Sequence, residues 1–206
     1  MARRERPDGT ADFFAGNLLP DLLAVSGDGR LRGVGDNTRG VADGVRLHIA
    51  TDKWFHGLPV FSALQAEANA LLLAAPWKET PRRRFFVAHV LVELALDAHL
   101  LHETPTLPDD LYAALAESLS GNLVATAETL LGRPAPNLEA STTRFVETGF
   151  LRDYATPAGC AESLTRVCRR AGVPNFTEPA DTETLAHVFA DFAPMITQNV
   201  AELLPN

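Results

Sequence analysis

An all-α fold follows from two features of this sequence. Apolar residues recur at three- and four-residue spacing along almost the whole chain, and the period-two alternation and Asn-Gly turns that mark strands are missing. With 206 residues, 46% of them hydrophobic and 21% charged, the chain suits one globular core, and it fits no disordered, collagenous or disulfide-knotted class. The expectation is a single-domain helical bundle over residues 1–206, of about seven or eight helices, with residues 1–10 as a disordered tail.

The helices are expected near residues 11–25, 40–56, 59–75, 81–103, 109–132, 138–155, 157–171 and 181–204. The first two flank the only long connection, Ser26–Arg39, with Gly27, Gly29, Gly33 and Gly35. Glycines before a helix can cradle a phosphate on backbone amides. Here neither Gly-x-Gly pair has the third glycine of a dinucleotide fingerprint, no Lys-Ser/Thr pair follows, and no strand precedes, so the segment reads as a mobile connector. The third helix follows Leu58-Pro59 and ends in the apolar run Ala70–Ala75, which Pro76 stops. Thr80-Pro81 sets a capping hydroxyl before a first-turn proline and opens the fourth. Thr156-Pro157 repeats that signal, and Gly172 with Pro174 closes the helix it starts.

No apolar run is expected to approach the roughly 20 residues of a membrane-spanning helix, the longest candidate being Ala70–Ala75, so a soluble protein is expected. Arg3, Arg4, Glu5 and Arg6 lack the apolar core of a secretion signal, so a cytoplasmic address is expected. Net charge is −8, which argues against nucleic acid or an anionic membrane as partner. Cys160 and Cys168 share one expected helix about 12 Å apart, at ~1.5 Å per residue, too far for a disulfide.

Chemistry concentrates in two helices. His48, Asp52 and His56 are spaced four apart in one, and His89, Glu93 and Asp97 repeat the spacing in the other, so each trio forms a stripe on one face. Phe85, Phe86, Val90, Leu91 and Leu94 make the second helix apolar around much of its circumference, which predicts that its acids point inward. Buried carboxylates need a partner or a cation, and a divalent metal shared by facing stripes is the simplest one. The outer members of a stripe are about 12 Å apart along the axis, so each helix is expected to supply an adjacent pair.

Other residues carry a resemblance. Gly16-Asn17-Leu18-Leu19-x-Asp21, then Gly44-x-x-Leu47-His48-x-x-x-Asp52 ending in Leu58-Pro59, resembles the opening of the acyl carrier protein phosphodiesterases. Those enzymes in turn resemble divergent members of the histidine-aspartate phosphohydrolase superfamily. Glu93-x-x-x-Asp97, Leu151-Arg152-x-Tyr154, Leu164-x-Arg166 and Arg169-Arg170 follow in the family's order, so the similarity spans most of the chain. The resemblance implies an HD-domain-like helical hydrolase, dependent on manganese or else iron or magnesium, that releases 4′-phosphopantetheine from holo-acyl carrier protein. It assigns metal binding to Asp21, His48, Asp52 and Asp97. Four features depart from the family: Thr10–Ala15 offers no histidine where it opens with Asn-Phe-Leu-Ala-His, His56 and Glu93 each stand where it has an aspartate, and Ala98 separates Asp97 from His99. These departures read as a rebuilt site with His56 or His89 compensating, as a different substrate, or as lost activity.

The leading expectation is a metal-dependent phosphodiester hydrolase acting on acyl carrier protein or a small phosphodiester, with Glu93 or His56 as proton shuttle. Arginine suits phosphate because its fork matches two oxygens, which makes Arg152, Arg166, Arg169 and Arg170 the expected substrate-binding residues. Arg82, Arg83 and Arg84 read rather as a solvated helix start. One alternative is a non-hydrolytic, di-iron-like metal protein, although no glutamate has a histidine three positions on. The other is an interaction module without activity, using Trp54, Phe55 and Trp77.

Overall fold

The structure, a computed structural model, describes residues 9–31, 33, 34 and 39–204. Among these residues it is all-helical, with ten helical segments and no strand. They are α1 (Ala11–Ser26), α2 (Val41–His56), α3 (Pro59–Ala74), α4 (Arg84–Glu103), α5 (Leu107–Ser120), α6 (Leu123–Leu131), α7 (Leu138–Thr148), a 3-10 helix (Phe150–Ala155), α8 (Pro157–Arg170) and α9 (Pro179–Leu203). Residues 1–8 of the expected tail, and 32 and 35–38 of the expected mobile connector, lie outside the described residues. Thr10 caps α1, its hydroxyl accepting from the Phe13 N–H at 3.3 Å.

Glycine accounts for two departures from the expected boundaries. The helix expected over 109–132 is two helices, because Gly121 interrupts it where its N–H turns back to the Ser118 carbonyl at 3.2 Å. The helix expected over 138–155 ends at Thr148, since Gly149 takes a left-handed φ of 60° and the chain continues as the 3-10 turn. A third departure has another cause. α4 starts at Arg84 rather than at residue 81, because Asn175 captures the backbone ahead of it: Arg82 N–H donates to Asn175 Oδ1 at 2.9 Å, and Asn175 Nδ2 donates to the Arg82 carbonyl at 2.8 Å. Arg83 then sits at φ 50°, outside helical space. The Thr156 cap of α8 forms as expected, accepting from Gly159 N–H at 3.1 Å, and Gly172 closes that helix at φ 69°.

Two compact units make up the fold, each drawing on two stretches of chain. The first comprises the chain as far as Trp54 together with Thr106–Gly149. Leu19, Leu22 and Leu23 of α1, Val41 and Val45 of α2, Leu115 of α5 and Leu123 of α6 form its core. α1 and α2 cross closely at two glycines: a Cβ on Gly16 would meet the Val41 carbonyl, and one on Gly44 would meet the Phe13 carbonyl. Part of the connector is anchored to this unit, since buried Asp28 accepts from the Asn137 N–H at 3.1 Å and Asn137 Nδ2 at 3.0 Å.

The second unit comprises Phe55–Pro105 and the chain from Phe150 onward. Its central element is α4, which packs against α3, α8, α9 and the 3-10 helix. Contrary to the expectation that no segment is long and apolar enough to cross a membrane, α4 is so by length and composition, with a mean hydropathy of 1.4 over its best window, a single acid such as Glu93 being outweighed by its apolar neighbours. Val87, Ala88, Val90, Leu91, Val92, Leu94, Ala95 and Leu96 are all buried in the fold. Phe85, expected among these apolar residues, is 69% exposed. The segment ahead of α4 is pinned by α9 as well: buried Asp181 accepts from Lys78 N–H at 2.7 Å. Both cysteines are free thiols buried on α8.

Candidate metal centre

In the second unit the end of α2 meets the middle of α4. His56 is the last residue of α2, after which Gly57 and Leu58 lead the chain into α3. His89 and Glu93 lie one turn apart on α4, so their side chains share a face. The three converge on one oxygen: Glu93 Oε1 lies 2.9 Å from His56 Nε2 and 3.2 Å from His89 Nε2. The two imidazoles stack with centroids 4.7 Å apart and planes 7° from parallel. Buried Phe61 of α3 sets its ring edge-on against both, at 4.9 Å from His56 and 5.1 Å from His89. One aromatic wall thus holds both histidines against the carboxylate. All three side chains stay partly open to solvent.

Electrostatics favour the ionised carboxylate. Burial pushes the Glu93 carboxyl upward, but the hydrogen bonds and charges of His89 and His56 outweigh it and hold the group below the ordinary glutamate value. A carboxylate with two imidazoles is a donor set used for zinc, iron and manganese. Among the described residues it is the group of three or more His, Cys, Asp or Glu whose ligand atoms lie within 4.8 Å of one another. The set fits a divalent metal in chemistry, and the ring geometry adds a condition. An ion sits in the plane of each imidazole at about 2.0–2.1 Å from nitrogen, whereas stacked rings keep their planes roughly 3.5 Å apart. Seating an ion therefore requires one imidazole to turn out of the stack.

Asp97 continues the stripe one turn beyond Glu93 and is exposed, contrary to the expectation that the acids of α4 point inward. Its charge acts on Tyr154 of the 3-10 helix and on Cys160 of α8. Burial foremost, then Asp97, raises the Tyr154 hydroxyl above its ordinary range, against opposing effects of Ser163 and Arg166. The same two causes push the Cys160 thiol up to about 12. Arg166 Nη2 donates to Ser163 Oγ at 2.7 Å, and the guanidinium lies over the Phe150 ring at 5.4 Å.

The expected site residues thus divide. His56, His89 and Glu93 come together, and the charges of Asp97 and Arg166 both act on Tyr154. The three-residue cluster takes in none of Asp21, His48, Asp52 and Asp97. Asp21, His48 and Asp52 belong to the first unit, where Asp21 and Asp52 are exposed and His48 is half-buried. Arg152, Arg169 and Arg170 are exposed in the second unit. Phe61, Phe150 and Ser163 escaped the sequence reading because nothing in their local pattern separates them from core residues. Comparison with protein-family models, with curated proteins and with solved structures finds no match to this chain.

Proposed function

We propose that this chain is a metal-dependent phosphodiester hydrolase whose divalent ion, manganese first and otherwise iron or magnesium, is held by His56, His89 and Glu93. The observation that carries the proposal is the convergence of both imidazoles on one ionised carboxylate, with a second carboxylate, Asp97, one turn further along α4. A bound ion supplies a polarised phosphoryl oxygen and a water acidified from 15.7 toward about 7. The protein's own groups do the rest. Asp97, solvent-facing and next on the stripe, takes up the proton of the attacking water. Tyr154 remains protonated near neutral pH and so offers a hydrogen-bond donor rather than a base. Release of 4′-phosphopantetheine from holo-acyl carrier protein is the substrate assignment that the resemblance adds to this reading.

The test is elemental analysis of the purified protein together with hydrolysis of a small chromogenic phosphodiester in added manganese. Stoichiometric metal and turnover are expected, both lost in His89→Ala and in Glu93→Gln, with losses of roughly 10- to 100-fold in metal affinity as the minimum. Metal with an oxygen-dependent optical band and no hydrolysis assigns a di-iron-like protein instead. Absence of metal from wild type, or equal metal content in wild type and both variants, overturns the site.

A further inference from the structure

We infer that Arg166 is a pre-formed receptor for a phosphate-type oxyanion, held by Phe150 and Ser163. Two observations support it. The guanidinium lies over the Phe150 ring at 5.4 Å, a cation–π contact that fixes its plane. Nη2 donates to Ser163 Oγ at 2.7 Å, and Ser163 is only 2% exposed, so this anchor is part of the core.

The arrangement spends little of the arginine's capacity. A guanidinium carries five N–H donors, and one is engaged by Ser163. The nearest acid, Glu162 Oε2, is 3.8 Å from Nη1, beyond hydrogen-bonding distance, and its side chain is 63% exposed. An arginine immobilised by stacking and by one hydrogen bond loses little freedom on taking a ligand, and its fork matches two phosphoryl oxygens. Arg169 and Arg170, by contrast, are exposed at the end of α8. Position completes the argument. The charges of Arg166 and Asp97 both act on Tyr154, and Asp97 is one turn from Glu93 on α4. The identification of this oxyanion as the substrate's phosphoryl group rests on the proposed hydrolase; the receptor itself does not.

The test separates the two. Inorganic phosphate is titrated by calorimetry into the chelator-treated full chain, with acetate as the competing oxyanion. Millimolar or tighter phosphate binding is expected, weakened about tenfold in Arg166→Ala and less in Arg166→Lys, which keeps the charge without the fork. Phe150→Leu, which keeps bulk while removing the ring face, gives an intermediate loss. In the metal-loaded protein Arg166→Lys raises KM for the small diester at unchanged metal content. Phosphate binding that is absent in wild type, equal in wild type and Arg166→Lys, or no stronger than acetate binding overturns the receptor. Loss of phosphate binding in Arg166→Lys from a protein that holds no metal keeps the receptor and removes the hydrolase.

Discussion

Single residues show how far burial governs reactivity here. Cys160 and Cys168 are both buried on α8, with thiols pushed up to about 12 and about 11, the first by burial and then the Asp97 charge, the second by burial against an opposing Asn175 hydrogen bond. The sign of the pH effect follows. The unfolded chain releases these protons near the usual thiol value of about 8.5, while the folded chain keeps them, so folding binds protons between roughly that value and the folded values. Stability therefore falls as pH rises through this window, by at most about 1.4 kcal/mol per pH unit for each thiol. Urea midpoints measured between pH 8 and 10.5 are expected to fall in wild type and to fall less steeply in Cys160→Ala, after allowing for the lower starting stability of the variant. An equal slope in both proteins removes the assignment. The candidate site was legible at this scale only in part. Four-residue spacing picked out His89, Glu93 and Asp97, because a helix converts spacing directly into a shared face. His56 was legible as a member of the first stripe, but its meeting with His89 depends on where α2 ends and α3 begins, which spacing does not encode.

At the scale of elements, the period of apolar residues made the helices legible almost to their ends, while their interruptions depended on single contacts. Gly121 and Gly149 stop helices that periodicity alone would continue, and the capture of Arg82 by Asn175 delays α4 by one turn through a partner 93 positions away. The motif glycines acquire a physical role at this scale. Gly16 and Gly44 are where α1 and α2 cross, and Asn17 Nδ2 donates to the Gly44 carbonyl at 3.4 Å across that crossing. The Gly16-Asn17 and Gly44 signals that suggested a site are thus occupied in packing. Gly44→Ala places a methyl against the Phe13 carbonyl, and backbone cannot yield as a flexible side chain does. A loss of about 1–3 kcal/mol is expected, read as a lower denaturant midpoint. Gly33→Ala is the control, since a Cβ there meets nothing within 4 Å, and it is expected within about 0.5 kcal/mol of wild type. A Gly44→Ala midpoint equal to that of Gly33→Ala contradicts the close crossing.

For the whole molecule the deciding quantity is charge. The chain carries −8, and a strongly acidic protein substrate such as a carrier protein would be repelled by it at long range. Docking then depends on local cations. The second unit has exposed Arg82 and Arg83 just ahead of α4, and exposed Arg169 and Arg170 at the end of α8, where positive charge is favoured by the helix dipole. If a carrier protein is the substrate, these arginines supply its binding energy through electrostatics that salt screens, since the screening length falls from about 10 Å at 0.1 M to about 3 Å at 1 M. A small diester reaches the centre without a large charged surface in contact. The ratio of carrier-protein to small-diester turnover is therefore expected to fall steeply as salt rises, and to fall further when Arg82, Arg83, Arg169 and Arg170 are changed to glutamate. A ratio indifferent to both salt and charge reversal removes the carrier protein as substrate, and it leaves metal-dependent hydrolysis of small diesters standing on the His56, His89 and Glu93 cluster alone.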